Sequence, residues 1–201
     1  LNKDAAVMVT GSHNPPQYNG FKLVLHHNSF FADNIQKLQE LTSSIELNQN
    51  NGTLESINIS KEYVVRNMQN IHLAKNLKIA WDVGNGVVGT VIENFVKALP
   101  NLEHIVINKN VDGNFPNHHP DPTVPKNLQQ LIEIVLKEKC DVGFAFDGDG
   151  DRLGVIDNVG NIIWADQYMI LLCKEVASLY KQPKIILDVK CSKIIFDEIK
   201  K

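Results

Sequence analysis

The chain has 201 residues, 43% of them hydrophobic and 21% charged, which is ordinary for one large or two small globular domains. A net charge of −3 leaves no basic footprint for nucleic acid or an anionic membrane, and no apolar run approaches a bilayer span. Three widely spaced cysteines (Cys140, Cys173, Cys191), without a CxxC pair, fit reduced thiols better than disulfides or a zinc site.

The N-terminal stretch 1–4 is polar and no apolar core follows it, so no signal peptide is read and a cytoplasmic setting is expected. In chain order, 5–9 is an apolar run that reads as a strand, and 23–25 is a second one. Between them stands VTGSHNPPQYNGFK, a long loop holding hydroxyl, imidazole, amide and ammonium groups and stiffened by Pro15 and Pro16. It presents Ser12 beyond the end of a strand. Residues 32–45 carry apolar side chains at Ile35, Leu38, Leu41 and Ile45, the spacing of one helix face. NQNNG at 48–52 reads as a turn-rich break. Ser60 is expected to cap a helix running to about Leu73. A strand at 77–83, a glycine turn at 84–89, a helix at 91–99 and a strand at 104–107 follow. The proline-rich loop 109–125 leads into a helix to about Lys139, with Pro125 in its first turn. Strands at 142–146 and 153–156 flank DGDGDR in a hairpin-like turn, and NVGN at 158–161 makes a second turn. A mostly apolar helix at 165–180, a buried-type strand at 185–189 and a helix from Ser192 complete the chain. Strands alternating with helices define an α/β class.

Asp147, Asp149 and Asp151 alternate with Gly148 and Gly150 and precede Arg152. Carboxylates this close repel one another and cannot all stay ionised in a dry site without positive charge between them. The intervening glycines let the side chains converge, as hard divalent cations require of oxygen ligands. An EF-hand loop is excluded, because Arg152 stands where that loop needs Gly and Asn158 where it needs Glu. Three protein ligands leave open positions for water and a phosphate oxygen, the pattern of Mg²⁺ at a phosphoryl-transfer site. The turn Gly84-x-Gly86-x-x-Gly89 has the form of a dinucleotide fingerprint. The following strand ends on Asn108-Lys109 rather than an acid, so the turn is read as a tight strand-to-helix connection. His13 adjoins Ser12, and this spacing does not read as a Ser–His nucleophile pair. The pairs His26-His27 and His118-His119 read as solvated loop histidines.

TGSHNPPQYNGFK and DGDGDR, about 130 residues apart, together resemble the α-D-phosphohexomutases, closest to the bacterial mannose/glucose branch. DVGNGVVG, GNFPNHHPDP (113–122) and DVKCS (188–192) resemble the same family, so the likeness covers essentially the whole chain. The resemblance implies mixed-sheet, three-layer α/β domains: 1–58 as the later part of a first domain, 59–158 as a second, and 159–201 as the start of a third. It implies that Ser12 carries a transferable phosphate and that Asp147, Asp149 and Asp151 hold one Mg²⁺ per site, completed by an oxygen of phosphorylated Ser12. It further implies phosphate contact and proton transfer by His13 and Lys22, an Arg152 beside the phosphoserine, and a cleft-facing Lys190. Cys191 beside it is read as buried. The implied reaction interconverts hexose 6-phosphate and hexose 1-phosphate through a 1,6-bisphosphate, with glucose or mannose 1,6-bisphosphate as activator. The implied partner is a small phosphosugar.

Members of that family have four domains, so this chain is expected to be incomplete at both ends, lacking the remaining domain III and domain IV segments. Residues 1–201 alone are expected to show little or no mutase activity. Two rival readings stand beside the mutase. A haloacid-dehalogenase-like phosphatase would use Asp147 and Asp149 as nucleophile and acid, and needs a strand-to-helix end at that loop. A non-catalytic metal- or sugar-phosphate-binding module would need the acidic loop but has no use for a modifiable Ser12.

Overall fold

Two separate sheets organise the computed structural model, which describes residues 3–42, 44–45, 52–69, 71, 73 and 75–199. The first is antiparallel: β1 (Ala5–Val9) pairs with β2 (Phe21–Leu25), which pairs with β3 (Asn28–Phe30). Val9 opposes Phe21, and the Thr10 amide donates to the Gly20 carbonyl at 2.9 Å. The serine loop is therefore an excursion clamped at its base by the strand pair it leaves and rejoins. Helix α1 (Asp33–Thr42) is shorter than the 32–45 expected. Ile35, Leu38 and Leu41 share its face as the spacing required, yet all three are exposed, as are Val7, Met8 and Val9 of β1. The turn-rich break at 48–52 lies outside the described residues apart from Gly52. Helix α2 (Ser60–Met68) starts on Ser60 rather than being capped by it and stops short of Leu73. The Ser60 amide is instead met by Asn58 Oδ1 at 3.0 Å.

The core belongs to the second sheet. Its order is β5-β4-β6-β7-β8, built from β4 (Lys78–Asp82), β5 (Glu103–Ile107), β6 (Val142–Phe146), β7 (Leu153–Asp157) and β8 (Ile162–Ile163). β5, β4 and β6 run parallel, and β6-β7-β8 is an antiparallel meander. Two parallel crossovers carry α3 (Ile92–Ala98) and α4 (Gln129–Glu138). Pro125 opens the short 3₁₀ turn that leads into α4, where its fixed φ costs nothing and its missing N–H is not needed. Leu128, Leu131 and Val135 pack with Ala80, Cys140, Ala145 and Ile156 into a fully buried cluster. Small residues on β6 let the helix come close: a Cβ on Gly143 would lie 2.7 Å from Val135 Cγ2 and 3.1 Å from Leu131 Cδ1. Gly143→Ala is therefore expected to cost about 1–3 kcal/mol, read as a lower urea midpoint. Gly52→Ala, which meets open space, should stay within about 0.5 kcal/mol of the parent.

Helix α5 (Ala165–Leu179) forms as expected and packs on α6 (Lys193–Ile199). The strand expected at 185–189 does not form. A strand needs a neighbour for its N–H and C=O groups, and no described strand pairs there. Ile186 and Val189 are 96% and 95% exposed, and Cys191 is half-buried rather than buried. No helix among the described residues is long and apolar enough to cross a membrane.

Candidate active site

The serine loop and the acidic loop meet face to face. β6 ends at Phe146 and β7 starts at Leu153, directly opposite in register, so 147–152 form the tip of an antiparallel pair. This strand–loop–strand geometry lacks the strand-to-helix end that the phosphatase reading needs. Asp147 is fully buried, and its Oδ1 accepts the Arg152 amide at 3.0 Å across the tip. One carboxylate oxygen from each of Asp147, Asp149 and Asp151 can be chosen so that all three lie within 4.8 Å of one another. Into this cluster points Ser12, whose Oγ donates toward Asp147 Oδ2 (3.3 Å) or Asp149 Oδ1 (3.4 Å).

The serine is held in an unusual backbone. Its φ is +53°, a left-handed conformation uncommon for a non-glycine residue, within a turn closed by the Asn14 amide on the Gly11 carbonyl (2.9 Å). That turn brings adjacent side chains together: His13 Nδ1 lies 3.2 Å from Ser12 Oγ. Adjacent in sequence, the two side chains nonetheless meet. His13 Nε2 reaches Asp121 Oδ2 at 4.0 Å, and Arg152 Nη1 reaches Asp121 Oδ1 at 3.5 Å. Lys22, at the start of β2, sets its ammonium 3.6 Å from Asp149 and 3.5 Å from Asp151. Lys190 is not brought in: its side chain is 84% exposed and its ammonium reaches Asp188 at 4.0 Å.

Electrostatics separate the carboxylates. Burial, then the charges of Asp149 and Asp151, push Asp147 above the usual carboxylate value. Burial also raises Asp149, but the Thr10 hydroxyl and the Lys22 ammonium more than offset it, so Asp149 sits below that value. The three oxygens thus form a dense negative cluster that a bridging cation would relieve, and the converging oxygen-only donor set suits a hard divalent ion.

Two residues of this site escaped sequence reasoning. Thr10 Oγ1 donates to Asp149 Oδ2 (2.8 Å) and accepts the Ser12 amide (2.9 Å), tying the serine backbone to the acidic loop. Asp121 bridges His13 and Arg152. Both stand inside stretches that were singled out, but nothing in their spacing reveals a contact made across 139 or 31 positions. The glycine turn packs on the acidic loop, with the Val87 amide on the Gly148 carbonyl at 3.0 Å. His118 is also not a solvated loop residue: it is largely buried and faces Asp82 at 2.8 Å.

Fold and site together define a mixed α/β protein in which a strained serine faces a cluster of three carboxylates between two sheets. Models described as phosphoglucomutase/phosphomannomutase alpha/beta/alpha domain I and domain II match residues 1–49 and 61–160. The chain belongs to the phosphoglucomutase/phosphomannomutase family. It is 44% identical over 193 residues to a phosphomannomutase/phosphoglucomutase of Pseudomonas aeruginosa, covering 96% of this chain and 42% of that protein. A phosphoglucomutase of Neisseria meningitidis is 41% identical, with 98% of this chain and 43% of the relative covered. The crystal structure of a phosphoglucomutase/phosphomannomutase family protein from Burkholderia thailandensis superposes with a TM-score of 0.90 at 42% identity, covering 98% of this chain and 43% of that one. The chain thus spans less than half the length of these relatives.

Proposed function

We propose that the polypeptide carrying this sequence is a Mg²⁺-dependent phosphosugar mutase that interconverts hexose 6-phosphate and hexose 1-phosphate through phosphorylated Ser12. The observation that carries this reading is the Ser12 hydroxyl aimed at two carboxylates of a three-carboxylate cluster, with Lys22, His13 and Arg152 around it. Asp147, Asp149 and Asp151 would hold the cation together with an oxygen at Ser12. Bound Mg²⁺ would offset charge on the phosphoryl oxygens during transfer.

The chain's own groups supply the rest. Phosphorylation places nearly two negative charges on Ser12 at neutral pH. His13 Nδ1, 3.2 Å from Ser12 Oγ, and Arg152, 3.9 Å from the Asp147 oxygen that faces Ser12, are the groups proposed to meet that charge. Lys22 is the proposed proton carrier between Ser12 and the sugar hydroxyl. The phosphoryl group leaves Ser12 Oγ for the free sugar hydroxyl, whose proton is taken up, giving a 1,6-bisphosphate. Transfer of the other phosphoryl group back to Ser12 releases the isomer. Mannose and glucose phosphates are the proposed substrates, with their 1,6-bisphosphates as activators. Lys190 is the proposed substrate contact from 159–201, the proposed third-domain segment following 1–58 and 59–158. The three free cysteines support a cytoplasmic setting for an enzyme acting on these small molecules.

Intact mass and peptide mapping of the full-length polypeptide after exposure to glucose 1,6-bisphosphate test the reading. One phosphate on Ser12, absent in Ser12→Ala, is expected. Phosphate on Asp147 would support a phosphatase, and no covalent phosphate would support a binding module.

A further inference from the structure

The 113–122 loop brings Asp121 to the site, and in the same loop His118 meets the buried Asp82. Asp82 ends β4 and is fully buried. Its Oδ1 accepts the Gly84 amide at 3.0 Å and Asn108 Nδ2 at 2.9 Å, while its Oδ2 faces His118 Nε2 at 2.8 Å. Across the ring, His118 Nδ1 lies 3.0 Å from the His119 carbonyl oxygen. Both partners of the ring are acceptors, and an imidazole donates from both nitrogens only as the cation. Asn108 Nδ2 is also 3.3 Å from Nε2, but its two protons are used by Asp82 and by Gln130 Oε1 at 2.8 Å.

The link to the site is one carbonyl long. The His119 carbonyl that meets His118 also accepts the Asp121 amide at 2.9 Å. The Asp121 carbonyl in turn accepts Asn127 Nδ2 at 2.9 Å. Segment 117–121 is thus tied at one end to the last residue of β4, and at the other its carboxylate meets His13 and Arg152 beside Ser12.

We propose that His118 and Asp82 are a positioning pair: the doubly donating imidazole anchors the 117–121 segment to β4 and so sets Asp121 between His13 and Arg152. Its catalytic consequence rests on the mutase reading above, whereas the pairing itself does not. The charged group facing the ring is Asp82 on β4. The neighbouring elements present the neutral Asn108 and Gln130, and Lys126 lines the same surface pocket as His118 and Gln130. The Asp82 hydrogen bond, then the His119 carbonyl, hold His118 above the ordinary imidazole value against the opposing effect of burial. A folded value raised in this way means that the pair stabilises fully below about pH 6.5 and is lost as pH rises through the raised value.

Nitrogen NMR of the imidazoles in the full-length polypeptide should show both His118 ring nitrogens protonated at pH 7. A neutral ring there overturns the pair, whether or not the protein is a mutase. His118→Gln keeps one donor for Asp82 and cannot at the same time reach the His119 carbonyl. It should lower kcat about tenfold with KM within about twofold, and remove an alkaline limb present in the parent's kcat profile. Unchanged kcat in both His118→Gln and Asp82→Asn overturns the positioning role. Absence of Ser12 phosphate and turnover in the parent would instead sink the mutase reading. Amide exchange across 117–121 would then decide the pairing alone: about tenfold faster exchange in His118→Gln supports it, and unchanged exchange overturns it.

Discussion

Gly148→Ala in the full-length polypeptide should cut the proposed mutase turnover by about 100-fold or more while leaving the second sheet folded. A Cβ at 148 runs into the backbone carbonyl oxygen of Ser12 and would lie 3.0 Å from the Ser12 carbonyl carbon and 3.4 Å from His13 Cα. These are backbone atoms, so no rotamer change relieves the clash. The acidic loop cannot retreat either. Its Gly148 carbonyl accepts the Val87 amide at 3.0 Å, and the glycine turn already packs closely against that oxygen, 2.7 Å from a Cβ built on Gly86. The serine loop must therefore move, and with it the Ser12 hydroxyl, now 3.3 and 3.4 Å from its two carboxylates. Steady-state assays with glucose 1-phosphate, phosphate occupancy on Ser12 and a thermal melt separate the outcomes. Turnover near the parent's would show that the two loops do not need this close approach. A collapse of the melt would place the defect in folding instead.

The parts of this site that sequence could reveal are those in which local composition is itself the chemistry. Alternating Asp and Gly at 147–151 lets three carboxylates converge on one loop, and in the structure they do. A serine among prolines declares a stiff exposed loop. The parts that stayed hidden are contacts between distant segments. The left-handed backbone of Ser12 is set by a four-residue turn whose sequence permits several conformations. Thr10 and Asp121 matter through partners on other loops. The pair Asp82–His118 looks like a strand-end acid and a loop histidine until β4 and the 113–122 loop come together.

The same division runs through the fold. α4 and β6 were legible because an apolar period and a strand run both ended in one core. α1 shows the correct period and still buries none of its residues, because periodicity fixes which side chains share a face and not what covers that face. The run at 185–189 has strand composition and no strand, because ladder hydrogen bonds belong to pairs of segments.

Removing the charge of Asp147 should act in opposite directions with and without Mg²⁺. Among the three aspartates it alone is fully buried, and burial together with the charges of Asp149 and Asp151 holds its carboxyl above the usual range. A folded value raised above the unfolded one means that ionisation opposes folding. The metal-free protein should therefore lose stability as pH rises from about 3.8 through the raised value. Asp147→Asn escapes that penalty, so in EDTA at pH 7 it should melt no lower than the parent. Adding Mg²⁺ reverses the order. A ligand that binds only the folded state adds about 2.7 kcal/mol at one hundred times its Kd. The parent should gain this much, and the variant, short of one proposed charged ligand, much less. Turnover should fall by about 10³-fold, the scale on which loss of one preorganised electrostatic group acts on charge developing in a transition state. Melting curves in EDTA and in excess Mg²⁺, with Ca²⁺ as a larger hard cation for comparison, measure the crossover. Equal Mg²⁺-induced shifts in parent and variant would show that the ion is held elsewhere, and the three aspartates would then be no more than an acidic tip facing Ser12.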